Sequence, residues 1–295
     1  MARSILVIGA GVAGLAAAWS ARRRGAQVTV ISAGVGETAL AGGAVDDVPW
    51  EQVERAARLL GSDLPAGDLA PAARQFAAEL GLWDVPQASG VRLATVAGRI
   101  RPARGRDRAL LDLGSLRRTR VLIPRAARAA WDADALAEAL TDEPFARARG
   151  LRFLPVDAPV LRFDDERQIA DGDLAARHDD PARLSWLLDR LRQALEGAGG
   201  AGAILLGPWL GARAPRAEAL AARLGVPVGE AVIGAGSPAG LRFEAARDAL
   251  LAAIGAARRH GRVRAVGGDP GGRADRARAS RSTWRARTCR SPRTR

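Results

Sequence analysis

The sequence predicts an α/β protein with a Rossmann-like, doubly wound parallel sheet, a second α/β domain and a disordered basic tail. Three observations support this prediction. A short apolar run, a glycine-rich turn and an alanine-rich segment open the chain, strand and helix patterns alternate through its later part, and apolar residues become rare after Gly267. Its 295 residues, 48% of them hydrophobic, are enough for two domains. The predicted segments are residues 1–116, 117–265 and 266–295.

The first element is an apolar, β-branched run at residues 4–8, typical of a strand buried on both faces of a parallel sheet. Three glycines follow at the spacing of a dinucleotide-binding turn: Gly9 allows the tight turn, Gly11 lets a pyrophosphate approach, and Gly14 lets the next helix pack closely. The start of that helix presents N–H groups to the phosphates. The turn predicts an FAD- or NAD(P)-type site, with a phosphate-free turn in another α/β fold as the alternative. The predicted contacts are Gly9, Ala10, Gly11, Val12, Ala13 and Gly14.

The second strand, at residues 28–31, is followed by Ser32, where such a site usually carries Asp or Glu for the ribose hydroxyls. A serine hydroxyl makes a hydrogen bond but cannot hold two hydroxyls as a carboxylate does. Residues 33–47 are rich in glycine and alanine, so their backbone can lie against a flat ligand; a flexible linker is the alternative. The predicted cofactor contacts in this region are Ser32, Ala33, Gly42 and Gly43.

The net charge of +13 is unevenly distributed. From Gly267 onward, nine arginines and two aspartates contribute +7, which leaves +6 for the rest of the chain. Lysine, tyrosine and asparagine are absent, so a general arginine bias accounts for much of the basic character. The tail pattern predicts disorder, with a nucleic-acid-binding arm as the alternative. We expect no nucleic-acid partner.

Cysteine and histidine are too few for a metal site. Cys289 is the only thiol, which excludes an internal disulfide and an iron–sulfur cluster held by this chain alone. His178 and His260 are far apart and have no zinc-binding spacing. His178 beside Asp179 could form a proton relay, but a helix start is the preferred interpretation. No catalytic base is predicted.

No apolar run in the sequence is long enough to span a bilayer. The opening residues imitate a signal peptide, but the glycine turn explains the same segment better. We expect a cytoplasmic chain that reaches a membrane only through a partner.

Later segments alternate between strand and helix patterns. Residues 91–116 are typical of short antiparallel strands or an irregular connection. Strands are predicted at residues 120–124, 151–156, 203–206 and 226–233. Helices are predicted at residues 49–60, 71–80 with Pro71 in the first position, 132–140 capped by Asp132, 179–195, 215–224 and 242–259.

Three later stretches are more specific than the glycine turn. They are Ala39 to Val48, with its Ala41-Gly42-Gly43-Ala44-Val45-Asp46 segment, the helix entry from His178 to Leu195 with Trp186, and the turn Ser237-Pro238-Ala239-Gly240-Leu241-Arg242. With them, residues 1 to about 265 resemble the B component of the anaerobic, quinone-linked glycerol-3-phosphate dehydrogenase, among the succinate dehydrogenase/fumarate reductase-type flavoproteins. Ser32 agrees with this family, whereas Ala41, Gly42 and Ala44 stand where it favours serine.

The resemblance implies an FAD-bearing subunit, with FMN as the alternative, although FMN lacks the pyrophosphate that the turn suits. It implies oxidation of glycerol 3-phosphate to dihydroxyacetone phosphate. Electrons would pass to quinone with the help of a catalytic flavoprotein subunit and an iron–sulfur membrane-anchor subunit, at the periphery of the inner membrane. Arg242 would grip the substrate phosphate, or else is simply solvated.

Members of that family return to the nucleotide domain with a closing strand and another glycine-rich turn. Here an arginine-rich tail follows the last predicted helix, so we expect a truncation or a shifted reading frame. Two other functions stay open. One is a non-catalytic or truncated electron-transfer subunit, and the other is an NAD(P)-linked reductase, which would bind nicotinamide and no flavin.

Overall fold

The structure is a computed structural model that describes residues 3–45, 50–59, 61, 66–86 and 90–264. Within these residues the chain forms two compact units, the first from residues 3–36 and 249–264 and the second from residues 37–248. The boundary predicted near residue 117 falls inside the second unit. The tail predicted at residues 266–295 lies outside the described residues.

The described elements follow the mixed strand and helix pattern that the sequence predicts. The strands are β1 (Ser4–Ile8), β2 (Gln27–Ser32), β3 (Ala44–Val45), β4 (Trp83–Asp84), β5 (Val91–Ala94), β6 (Ile100–Ala103), β7 (Gly105–Asp107), β8 (Arg120–Pro124), β9 (Arg152–Val156), β10 (Ala203–Leu206), β11 (Val228–Glu230) and β12 (Ala257–His260). The α-helices are α1 (Val12–Arg23), α2 (Trp50–Leu59), α3 (Ala66–Leu80), α4 (Ala133–Asp142), α5 (Pro144–Arg149), α6 (Asp171–Arg177), α7 (Pro181–Gly197), α8 (Ala217–Leu224) and α9 (Pro238–Ala253).

The first unit has a three-stranded parallel sheet in the order β1-β2-β12. Helix α1 connects β1 to β2 and buries Leu15, Ala18 and Trp19. β1 lies at one edge of this sheet, and Ile5 and Ile8 are 37% and 55% exposed. The prediction that this strand is buried on both faces is therefore wrong, since Val7 is the one buried residue of the five in β1.

The last helix and the strand after it differ from the prediction. Helix α9 begins at Pro238 rather than at residue 242, because the Ser237 hydroxyl accepts a hydrogen bond from the Ala239 N–H (3.1 Å) and caps the helix. It ends just before Gly255, whose φ of +64 is left-handed. The residues predicted to extend the helix form β12, which returns to the sheet of the first unit. The expectation that no strand follows this helix is wrong.

The second unit contains a four-stranded parallel sheet in the order β11-β10-β8-β9. The predictions of β8 and β10 are confirmed, and the unit's largest buried cluster of side chains packs around these strands. The predicted cap of α4 is also confirmed, since Asp132 accepts hydrogen bonds from the N–H groups of Asp134 (3.1 Å) and Ala135 (3.0 Å). Asp180, followed by Pro181, caps α7 in the same way.

Two small antiparallel sheets complete the second unit, one of β5 and β6 and one in the order β3-β7-β4. The antiparallel prediction for residues 91–116 is confirmed by β5 and β6. Helix α3 begins at Ala66, so Pro71 lies inside the helix and not at its first position as predicted. The longer helix tolerates this proline at the loss of one backbone hydrogen bond.

Candidate functional site

The glycine-rich turn lies between the carboxyl end of β1 and the start of α1. Gly9 has a left-handed φ of +98, and its N–H donates to the carbonyl oxygen of Ile31 at 2.8 Å. A Cβ atom on Gly14 would lie 2.1 Å from the carbonyl oxygen of Gly9, so only glycine permits this approach. Gly11 is the N-cap of α1 and forms no side-chain hydrogen bond to the helix. The first turn of an α-helix is a common place for an anion to bind, because backbone N–H groups point out of it.

Ser32 lies at the same edge of this sheet as the turn, because β1 and β2 are parallel and Ile8 pairs with Ile31. Ser32 is buried at 7% exposure, and Ala33 beyond it is exposed. The structure thus brings eight of the predicted cofactor contacts into one unit. They are Gly9, Ala10, Gly11, Val12, Ala13, Gly14, Ser32 and Ala33.

The other two predicted contacts, Gly42 and Gly43, lie in the second unit. A Cβ atom on Gly42 would lie 2.1 Å from the carbonyl oxygen of Ile233. Gly43 has a φ of +86, and a Cβ atom there would lie 2.9 Å from the Cβ of Asp107. Both glycines therefore allow close packing inside that unit. Their contact with the cofactor stays a prediction.

Arg242 is fully buried in the second unit, with an exposed fraction of 0%. Its Nε donates to Asp107 (2.8 Å) and its Nη2 donates to Glu230 (2.7 Å). Its Nη1 donates to the carbonyl oxygen of Gly211 at 2.6 Å. The alternative that Arg242 is solvated is wrong, and its part in binding a substrate phosphate stays a prediction.

The buried cluster around Arg242 holds two carboxylates against one guanidinium. Burial raises the pKa of Glu230 to about 7, with the charge of Asp107 acting in the same direction and Arg242 opposing it. Burial alone would lower the pKa of Arg242, but both carboxylates raise it further. Arg242 therefore stays charged, and Glu230 takes up a proton close to neutral pH.

His178 is buried at 1% exposure between α6 and α7. Its Nδ1 lies 2.8 Å from the carbonyl oxygen of Trp209, which can only accept, so Nδ1 carries the proton and Nε2 carries a lone pair. Burial, followed by the charge of Arg183, lowers the His178 pKa to about 4. Asp179 instead accepts a hydrogen bond from the Ala212 N–H (3.1 Å). This arrangement favours the helix-start interpretation over a proton relay.

The loops after β8 and β10 meet where parallel sheets commonly bind ligands, at the point where the strand order reverses. Here Trp131 and Trp209 pack edge to face, with ring centroids 5.4 Å apart. Asp171 accepts hydrogen bonds from Trp209 Nε1 (2.9 Å) and Arg128 Nη2 (2.8 Å). Sequence reasoning missed this cluster because its members are far apart along the chain. Because these side chains pack against one another and form hydrogen bonds with one another, they indicate a packed core more than a ligand site.

The family model of the FAD binding domain, from the succinate dehydrogenase/fumarate reductase flavoprotein family, matches residues 4–155. This span is just over half of the chain. The chain belongs to this family. Its match begins at β1 and contains the whole glycine turn, so the flavoprotein binds FAD and is a flavin-dependent oxidoreductase.

The residues of the glycine turn fit FAD at its pyrophosphate. The approach of Gly14 to Gly9 fixes the turn against α1, and Gly11 is the N-cap of that helix. FMN has no pyrophosphate for this turn to bind, so both the turn and the family favour FAD over the FMN alternative. Gly9, Gly11 and Gly14 are the residues that would hold this part of the cofactor.

Other comparisons add little to this assignment. No curated protein matches the sequence. A similar solved structure is that of unliganded arylmalonate decarboxylase, with 20% sequence identity over 80% of this chain and 74% of that chain, and a TM-score of 0.27. Such a low score supports no conclusion about this flavoprotein. Among the described residues, no helix combines the length and the apolar character needed to cross a membrane.

Proposed function

We propose that this flavoprotein is a subunit that takes part in the oxidation of glycerol 3-phosphate by quinone. The balanced reaction converts glycerol 3-phosphate and quinone to dihydroxyacetone phosphate and quinol, because the alcohol loses two electrons and two protons. FAD, when bound, supplies the two-electron acceptor in this chemistry. A catalytic flavoprotein subunit and an iron–sulfur membrane-anchor subunit are the proposed partners, and the proposed location is the cytoplasmic face of the inner membrane.

The observation that supports this proposal best is the contact between two of the stretches that carry the resemblance. A Cβ atom on Gly240 would lie 1.8 Å from the carbonyl oxygen of Ala39. Similarly, a Cβ atom on Gly43 would lie 3.1 Å from the Cβ of Ala239. The small-residue segment after β2 and the turn into α9 therefore form one substructure of the second unit. Its glycines at positions 43 and 240 are required for this close packing.

The proposal gives the chain's own residues distinct tasks. The turn from Gly9 to Gly14 binds the cofactor pyrophosphate through backbone N–H groups. In the second unit, Arg242 positions Asp107 and Glu230 by binding both. For Arg242 also to bind a substrate phosphate, one of these carboxylates must release it. No described side chain is assigned as the catalytic base.

The test is anaerobic reduction of the purified flavoprotein, first alone and then with its partner subunits. The proposal predicts that glycerol 3-phosphate bleaches the visible absorption of the flavin in the complex, and that glycerol without the phosphate does not. Bleaching by another alcohol or by a dicarboxylate, and none by glycerol 3-phosphate, would contradict the proposed substrate. Reduction by NADH or NADPH would instead support a nicotinamide-linked reductase. A complex that reacts equally well with a Gly14→Val subunit would indicate a non-catalytic role.

A further inference from the structure

The ribose site at the end of β2 needs a replacement for the missing carboxylate. Dinucleotide-binding sheets place Asp or Glu there to hold the 2′-hydroxyl of the ribose. In this chain the position is Ser32, which is 7% exposed. A serine hydroxyl cannot hold two ribose hydroxyls as a carboxylate does, which leaves one ribose hydroxyl for a neighbouring side chain.

The neighbouring position is set by the register of β12 against β2. These strands are parallel, and His260 pairs directly with Ser32. The N–H of Gly261 donates to the carbonyl oxygen of Ser32 at 3.0 Å, which fixes the end of β12 beside the end of β2. Paired residues on adjacent strands lie about 5 Å apart and direct their side chains to the same face. His260 is therefore one strand away from the position where the carboxylate usually lies.

The glycine turn lies at the same end of the sheet, where the strands have their carboxyl ends. The N–H of Gly9 donates to the carbonyl oxygen of Ile31, one residue before Ser32. Gly9, Ser32 and His260 thus follow one another along the carboxyl edge of three adjacent strands. A dinucleotide whose pyrophosphate lies on the turn extends its adenosine along this edge. This path leads to His260.

We propose that His260 recognises the adenosine ribose of FAD by a hydrogen bond with its 2′-hydroxyl. An imidazole ring has one donor and one acceptor nitrogen when neutral, which matches a hydroxyl group. His260 is exposed, unlike His178, and can meet a ligand. The inference rests on FAD binding at the glycine turn but is independent of the substrate.

The alternative ligand group beside His260 is a 2′-phosphate on the ribose, because arginines flank this residue. Arg258 and Arg259 precede it in β12, and Arg262 follows. Arginine near the end of β2 is the feature by which such sites accept the 2′-phosphate of NADP. The chemistry of the two ligands differs enough for one titration series to separate them.

The test uses the full chain after removal of bound flavin, titrated calorimetrically with ADP, 2′-deoxy-ADP and adenosine 2′,5′-bisphosphate. We expect wild-type protein to bind ADP about five-fold more tightly than 2′-deoxy-ADP, as one neutral hydrogen bond provides. The His260→Ala variant should lose this discrimination, and His260→Gln should retain part of it. Gln27→Ala, an exposed position at the opposite end of β2, is the matched control and should discriminate like wild type.

Three outcomes overturn the inference. They are equal discrimination by His260→Ala and wild type, no discrimination by wild type, and much tighter binding of the 2′,5′-bisphosphate than of ADP. The last outcome would assign the position to a 2′-phosphate. Protein that binds neither FAD nor ADP would contradict the cofactor site itself, which separates that failure from a wrong role for His260. Equal melting temperatures for the variants confirm that they fold.

Discussion

Gly14 is the residue on which the geometry of the glycine turn depends most directly. Its Cα lies so close to the turn that an added Cβ atom would be 2.1 Å from the backbone oxygen of Gly9. We predict that Gly14→Ala forces the helix away from the turn, weakens FAD binding by at least ten-fold and lowers the stability of the chain by about 1–3 kcal/mol. Flavin titration and urea unfolding measure the two effects.

Gly197→Ala is the matched control for Gly14→Ala. Gly197 is exposed at the end of α7, and a Cβ atom there meets no heavy atom within 4 Å. This variant should bind FAD like wild type. Unchanged FAD binding by Gly14→Ala would show that the turn is not the pyrophosphate site.

Two buried groups of the second unit are expected to give opposite pH dependences of stability. The pKa of Glu230 rises from 4.5 to about 7 on folding, mainly through burial. Its contribution to stability is complete below pH 4.5 and is lost as the pH rises through about 7. The pKa of His178 falls from 6.5 to about 4, also mainly through burial, so its contribution is present above pH 6.5 and is lost as the pH falls through about 4. Each of these two contributions to the free energy of unfolding is on the order of 3 kcal/mol.

The two variants Glu230→Gln and His178→Gln separate these contributions. The free energy of unfolding of Glu230→Gln minus that of wild type should rise with pH between 4.5 and 7. The wild type loses stability as Glu230 deprotonates in this range, and the variant has no such group to deprotonate. The same difference for His178→Gln should fall with pH between 4 and 6.5. Urea unfolding at several pH values measures both. Parallel pH profiles for the two variants would contradict these pKa shifts.

Helix α4 shows how a local sequence signal becomes an element. Asp132 accepts hydrogen bonds from the N–H groups of Asp134 and Ala135, which would otherwise lack partners at the helix start. We predict that Asp132→Ala lowers the free energy of unfolding by about 1 kcal/mol, and that Asp132→Ser restores most of it. Equal urea midpoints for Asp132→Ala and wild type would mean that this cap contributes nothing.

Elements with such local signals could be predicted from the sequence, and those set by distant contacts could not. Asp132 and the Asp180-Pro181 pair mark their helix starts correctly. Gly255 is also a local signal for the end of a helix. The arginines after it are compatible with a helix end as well as with an edge strand, and it is the pairing with β2 that makes these residues the strand β12. The exposure of Ile5 and Ile8 depends on what packs against the faces of the sheet, which the hydropathy of the strand does not encode.

The candidate site divides in the same way between local and long-range information. The turn from Gly9 to Gly14 was predictable because its spacing, strand and helix are contiguous. The burial of Arg242 was not, because Asp107 and Glu230 come from two other parts of the chain. The pairing of His260 with Ser32 likewise joins residues from opposite ends of the described chain. The glycine turn is therefore predictable from local sequence, whereas its surroundings depend on tertiary contacts.

For the whole molecule, FAD binding should add stability by mass action, since the unfolded chain has no site. At a free FAD concentration about 100 times the dissociation constant, the added stability is about 2.7 kcal/mol. We predict a corresponding rise in melting temperature for wild type and a much smaller one for Gly14→Ala. Equal rises for the two proteins would place FAD elsewhere on the chain.

The most direct measurement is the visible absorption spectrum of the purified chain, with chromatography of the cofactor released by heat. We predict a flavin spectrum and release of FAD from wild type, with little flavin retained by Gly14→Ala. A colourless wild-type protein that also fails to take up added FAD would contradict the assignment of this chain as an FAD-binding oxidoreductase.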